Sequence, residues 1–363
     1  MFPAGFSGQR VANVSGAREL VTLPNGDLLI GTGGQTLYIL PNADAPTSGG
    51  TPAPFITLSE GPAEGVAFGG GAIYAATNTT IWKIPYAAGD RSETNAIAIA
   101  HVRTGAVAPN SDGDVHTSTS VAVSGSTLFA GVGSSCNACI EVDSTRASVQ
   151  QMNLDGSNMT RLAENSRNPI AMAVNPATGS LWIGGAGQDN LTYGHPYEYF
   201  DSPTKRGSSN VNYGWPACEE DHTLYNPLNQ TPAPNCSQTV APLIEFPAYS
   251  TLIGATFYPA NEPGAYAFPA AYRGGLFVTS HGSWHCCPST PPRVYFVPMS
   301  GDTPATAVNW SDPTVQHQDF AGGFGSNANN NWVDRPTGIA VGSNGSLFFA
   351  NDASGDIVRV RHS

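Results

Sequence analysis

An all-β fold, a six-bladed β-propeller, is what this 363-residue sequence predicts, and three observations predict it. The first is a recurring unit: a short apolar strand, a Gly/Asn turn, and a second strand ending in small residues. The second is the spacing of the early units, roughly 50 residues, which a four-stranded blade requires. The third is composition: 41 glycines and 29 prolines stand beside ample aromatic and β-branched residues, and only 12% of the chain is charged. Such a chain makes many short strands and tight turns rather than disorder.

The units run in order as "RELVTLPNGDLLIGTGG" from Arg18, "EGVAFGGGAIYAATNTTIWKIP" from Glu64, "TSVAVSGSTLFAGVGSS" from Thr119 and "NPIAMAVNPATGSLWIGGAG" from Asn168. The fifth is "TLIGATFYP" from Thr251 with "YRGGLFVTSHGSW", and the sixth is "PTGIAVGSNGSLFFANDASGDIVRVRH" from Pro336. Each is a hairpin whose turn, such as NGD, GGGA, SGS or SNGS, supplies residues that tolerate positive φ. Units four and five run long, so loop insertions are expected at about 184–246 and 280–292. The last unit ends one strand short of a blade, and "FSGQRVANV" near the N-terminus is an orphan strand that can complete it. The chain reads as one propeller domain, residues 1–363.

Charge and cysteines bound the function. With a formal charge of −12 and only two lysines, Lys83 and Lys205, nothing offsets phosphate repulsion, which excludes nucleic acid as a partner. No apolar run approaches the ~20 residues of a membrane helix. "MFPAGFSGQR" lacks the basic and apolar regions of a signal peptide, so a signal is absent from this chain. The six cysteines fall as local pairs: Cys136 with Cys139, Cys218 with Cys236, and the adjacent Cys286 and Cys287. Zinc would need four converging ligands, and no CxxC…CxxC or HxxxH accompanies them. A thioredoxin-like cycle would need a helix to lower a thiol pKa, and no helical period follows Cys139. Disulfides are favoured over a metal or reactive thiols, and with them a secreted or periplasmic location.

In a propeller the residues just before each innermost strand form a ring at one channel mouth. Here they are Arg18, Glu64, His116, Arg167 with Asn168, Tyr249 with Ser250, and Arg335. The ring is polar and mixed in charge, and a site is expected where it meets the inserted loops.

Six stretches, taken in order and spacing, carry a family likeness: "HTSTSVAVSGSTLFAGVGSSCNAC", "MNLDGSN", "RNPIAMAVNPATGSLW", "NYGWP", "LFVTSHGSW" and "RPTGIAVGSNGSLFFANDASGDIVRV". From about Arg18 to its end the sequence resembles the pyrroloquinoline quinone (PQQ)-dependent sugar dehydrogenases, chiefly the L-sorbosone and pyranose dehydrogenase branch, with the soluble glucose dehydrogenases more distant. The resemblance implies PQQ over the channel mouth, with Ca²⁺ bridging cofactor and protein. It implies oxidation of a sugar at its anomeric carbon by hydride transfer to the quinone, and an external electron acceptor: a small quinone, a dye or a cytochrome. His116 then matches the general base and Arg167 the arginine beside the cofactor. Arg18, Glu64, Asn168, Tyr249, His281 and Arg335 become cofactor contacts, the arginines suiting carboxylates. Gly185, Ala186, Asp189 and Glu198 become the calcium ligands, although the run "IGGAGQDNLTYGHPYEYFD" has Gly184, Gly185 and Gln188 where relatives carry Glu, Asn and Arg.

Plainer readings stand beside these. His116 follows the turn-rich "NSDGD" and suits a surface loop; Arg18 and Arg335 could serve only to neutralise Glu64 and its neighbours. Asp352 suits a turn, and Trp215 a core aromatic pinning the inserted loop. The other functional class is a propeller that binds carbohydrate, or hydrolyses a lactone, without PQQ.

Overall fold

Six sheets, each at least four-stranded and built on an antiparallel four-stranded meander or its equivalent, follow one another along the chain in the computed structural model, which describes residues 1–47, 49–109, 113–191, 194–207, 209–284, 289–325 and 332–362. Blade 1 is built from Ala17–Thr22, Leu28–Thr32, Thr36–Leu40 and Ala53–Thr57, and blade 2 from Gly65–Gly69, Ala72–Ala76, Thr80–Pro85 and Ile97–His101. Blade 3 comprises Thr119–Ser124, Thr127–Val132, Ser148–Asn153 and Thr160–Glu164, with Val211–Asn212 added in parallel at its outer edge. Blade 4 comprises Ala171–Val174, Leu181–Gly184, Glu198–Asp201 and Ile244–Phe246. Blade 5 comprises Leu252–Phe257, Leu276–Ser280, Arg293–Val297 and Gln318–Ala321. In blade 6 Pro336–Val341, Leu347–Asn351 and Asp356–His362 are completed by the N-terminal strand Phe6–Asn13, which pairs antiparallel with the C-terminal one. The six-bladed, all-β expectation is borne out.

Strand alternation builds the core. In Leu28–Thr32 the side chains of Leu28 and Ile30 join an apolar cluster with Phe348 and Ile357 of blade 6, whereas Leu29 between them joins one with Val66 and Ile73 of blade 2. The same two-sided burial recurs between every neighbouring pair of blades, so middle strands such as Leu28–Thr32 and Ala72–Ala76 are buried throughout. Innermost strands touch their neighbours all round, blade 6 to blade 1 included, which closes the ring about a channel lined by Leu20, Val66, Val121, Met172, Ala255 and Ile339.

The segment 184–246, expected as a loop insertion, carries the third strand of blade 4 and ends at its fourth. These strands, EYFD and IEF, are too short to show a period of two. Between them lie the hairpin Cys218–Glu219 with Thr223–Leu224 and a disulfide joining Cys218 to Cys236. A second disulfide joins Cys136 to Cys139. The expected Cys286–Cys287 pair lies outside the described residues. Among the described residues no helix is long and apolar enough to cross a membrane.

Candidate active site

At the channel mouth on the side of blades 3 to 5 lies a cavity of about 430 Å³, lined by Val115, His116, Asn137, Arg167, Asn168, Ala186, Gly187, Asp189, Asn190, Glu198, Thr251 and Trp284. Blades 3, 4 and 5 contribute residues just before their first strands and just after their second strands, which is why chain positions far apart converge.

His116 sits three residues before the first strand of blade 3, on a segment held from behind by Arg103. That guanidinium donates to the carbonyls of His116 at 2.8 Å and Ser118 at 2.7 Å, and to Asn78 O and Thr119 Oγ1. Arg146 adds a two-pronged pair with Asp114 at 2.8 and 3.0 Å. The imidazole Nδ1 lies 3.0 Å from Ser134 O and 2.9 Å from Ser134 Oγ, and that hydroxyl donates onward to Cys136 O at 2.7 Å. Both neighbours of Nδ1 therefore accept, which puts the proton on Nδ1 and leaves Nε2 with its lone pair. Desolvation, reinforced by the charges of Arg167 and Arg103 and opposed by the Ser134 carbonyl, pushes the pKa of His116 down to about 3. Gly133 makes the packing possible, since a Cβ there would stand 2.4 Å from Asn168 Oδ1 and 2.5 Å from His116 Cβ.

Arg167 is largely buried within the cavity wall. Its Nε donates to Asn137 O at 3.1 Å and its Nη2 to Asn137 Oδ1 at 2.9 Å and Asp189 Oδ2 at 3.1 Å. Its Nη1 reaches Gly187 O at 2.6 Å and Ala186 O at 3.4 Å. Asn137 is presented by the Cys136–Cys139 loop and also binds both the N–H and the carbonyl of Asp189 at 2.9 Å. Trp215 Nε1 caps Asn137 O at 3.1 Å, so Trp215 pins this stapled loop. Asn168 Oδ1 is buried with no partner. Gly185 is forced by close approach, a Cβ there falling 1.7 Å from Asn168 O. Glu198 is buried, accepts from Gly187 N at 2.7 Å and Thr251 N at 3.4 Å, and is raised to about 8 chiefly by desolvation.

The expected cofactor contacts do not all converge. Arg18, Glu64, His281 and Arg335 form a second cluster on blades 1, 2, 5 and 6. Arg18 pairs with Asp352 at 2.8 Å and Glu64 at 3.4 Å, and His281 Nε2 lies 3.0 Å from Asp352. Arg335 donates to His281 O and Gly282 O, each at 2.9 Å. Burial opposes ionisation of Asp352, yet the hydrogen bond and charge of His281 and the charge of Arg18 overcome it and bring its pKa to about 2. His281 is pushed down to about 4 by desolvation, with Arg335 and Arg18 outweighing part of the pull of Asp352. Glu64 Oε2 is buried without a partner. The two clusters meet at Thr251, whose carbonyl accepts from His281 N at 2.9 Å. Tyr249 is buried at φ 63° beside this junction and does not line the cavity.

Sequence reasoning missed Arg103, Asn137, Thr251 and Trp284, and weighed Asp352 as a turn residue. Arg103 stands alone in "HVRTGA" with φ 54°, and its partners lie 13 to 25 residues away in both directions. Nothing in that stretch signals them. Asn137 had one cue, its place between two cysteines of a stapled loop.

The family model described as TrAA12-like matches residues 1–363, and the chain belongs to that family. The holo PQQ domain of pyranose dehydrogenase from Coprinopsis cinerea is similar over 99% of this chain and 96% of its own, at TM-score 0.78 and 18% identity. A calcium structure of the family AA12 carbohydrate-active enzyme of Trichoderma reesei matches 100% of this chain and 97% of its own, at TM-score 0.75 and 17% identity. The soluble aldose sugar dehydrogenase of Escherichia coli, in apo form, covers 99% and 100% at TM-score 0.66 and 15% identity. At these identities the likeness shows the fold. No curated protein matches the chain. The resemblance to PQQ-dependent sugar dehydrogenases is borne out at the level of family.

Proposed function

We propose that this protein is a PQQ-dependent oxidoreductase that oxidises a sugar at its anomeric carbon, acting outside the cytoplasm as a single propeller domain, 1–363, and passing electrons to a small quinone, a dye or a cytochrome. The observation that carries the reading is the tautomer of His116: Nδ1–H is tied to Ser134, so a lone pair on Nε2 is available beside a cavity whose lining includes Arg167 and Asn168.

That donor set fits a quinone cofactor and a sugar. Arg167 brings positive charge to the lining, Trp284 brings an aromatic ring and Asn168 Oδ1 a buried acceptor that lacks a donor. When bound, the quinone supplies the hydride acceptor. His116 Nε2 takes the proton of the anomeric hydroxyl, Ser134 holds the ring in place, and the charge of Arg167 favours negative charge developing nearby. Arg18 is already paired with Glu64 and Asp352, so the second cluster fixes the opposite rim.

Adding PQQ and recording its absorbance, then adding aldoses, sorbosone or pyranoses with a dye, tests the proposal. We expect a spectral shift and dye reduction, and His116→Ala should keep the shift while turnover falls by roughly 10²–10⁴. No dye reduction with any of these sugars by protein treated with PQQ, whether Ca²⁺ is added or withheld, would overturn the dehydrogenase reading and promote a carbohydrate-binding or lactonase propeller.

A further inference from the structure

The calcium set does not fit the geometry. Calcium takes about six to eight oxygens at ~2.3–2.6 Å. Gly185 O accepts from Leu252 N at 3.3 Å, Ala186 O and Gly187 O accept from Arg167, and Asp189 holds Arg167 through Oδ2 and Trp284 Nε1 through Oδ1 at 3.2 Å. Glu198 is turned onto the N–H groups of Gly187 and Thr251. Neither Asp189 nor Glu198 leaves a buried oxygen unpartnered.

We infer that the guanidinium of Arg167, bonded to the Ala186 and Gly187 carbonyls and to Asp189, is this loop's resident cation, so that residues 185–189 close without a metal ion. The inference deepens the dehydrogenase reading and rests on it for the relevance of calcium. Its basis is the donor pattern. One planar fork gathers two adjacent carbonyls and a carboxylate, the kinds of oxygen that collect a hard cation. The fork is clamped from the other side by the backbone and side-chain oxygens of Asn137. Asn137 in turn is held by the Cys136–Cys139 staple and by Trp215. Arg167 cannot swing aside to admit a metal unless this whole arrangement opens, and two cations on the same oxygens repel. Gly184, Gly185 and Gln188 bring no carboxylate to this loop, and Gln188 donates through Nε2 to Pro216 O and Glu219, leaving its Oε1 as a buried oxygen without a partner.

Terbium luminescence excited through tryptophan reads the loop directly, because Trp284 Nε1 lies 3.2 Å from Asp189 Oδ1. Chelator-stripped wild-type protein should give no emission that calcium displaces and that Trp284→Phe abolishes, and its melting temperature should be the same in CaCl₂ and in EGTA. Arg167→Met frees the Ala186 and Gly187 carbonyls and Asp189, and should bind calcium tighter than wild type by on the order of tenfold or more. Calcium-displaceable, Trp284-dependent emission from the wild type overturns the inference, and so does a folded Arg167→Met protein that gains none. Should that variant not fold, Arg167→Gln, which keeps donors toward Asn137, takes its place under the same two outcomes. The measurement contains neither PQQ nor sugar, so its failure and that of the dehydrogenase reading are separate.

Discussion

At the scale of the residue, His116 is governed by two opposing demands. A general base works best with a pKa near the operating pH, yet burial beside Arg167 and Arg103 holds this imidazole down at about 3. The sign of the correction follows from charge: an anion entering the cavity lowers the cost of a positive imidazole and offsets Arg167, so ligand binding must raise the pKa. NMR of labelled histidine should show the neutral Nδ1–H form of His116 in the ligand-free protein throughout the range where an ordinary histidine titrates. An anionic ligand should move its midpoint upward. A neutral ring carrying its proton on Nε2 in the ligand-free protein would contradict the tautomer argument and remove the reason for assigning the base to Nε2.

At the scale of the element, what the sequence made legible was whatever a short stretch determines by itself. The turns NGD and SGS mark their own hairpins, and the position of His116 or Arg167 just before an inner strand follows from the hairpin it precedes. The surroundings of the calcium set were illegible for the converse reason. The oxygens of Ala186, Gly187 and Asp189 were read along one loop, but their partner is a guanidinium about 20 residues upstream, aimed by an asparagine farther off still. Closure by the N-terminal strand lies between these cases, since "FSGQRVANV" shows that a strand is present and only the pairing of Phe6 with His362 shows what it does. Phe6 meets Phe268, Tyr272 and Phe320 edge-on at 4.7 to 5.1 Å. Because Phe6 is half-buried, Phe6→Ala should cost roughly 2 kcal/mol, below the ~3–5 of a fully buried ring. Removing residues 1–13 should do far more, exposing the edge of Asp356–His362. Unchanged melting and solubility in the truncated protein would show that the ring does not depend on this closure.

At the scale of the whole molecule, the propeller buries several acids with no full charge partner, and this sets the direction of its pH dependence. Desolvation raises Glu19 and Glu198 to about 8 and Glu219 and Glu245 to about 7. The folded state therefore keeps protons that the unfolded chain releases above its ordinary value of 4.5, and that stability is full below 4.5 and lost as pH rises toward 8. His116 and His281, held down at about 3 and about 4, act the other way: the unfolded chain gains protons below 6.5 that the folded state refuses, so their contribution is lost as pH falls. Between 4.5 and 6.5 the raised acids outnumber the depressed histidines, each proton counting about 1.4 kcal/mol per pH unit. Thermal stability should therefore be greatest near about pH 5 and fall toward pH 8. Glu198→Gln, which removes one titrating proton while keeping an acceptor for Gly187 N, should flatten that fall without altering its sign. A melting temperature that rises from acidic toward alkaline pH would mean these acids are ionised in the folded protein, and the neutral Glu198 behind the cavity would have to be abandoned with them.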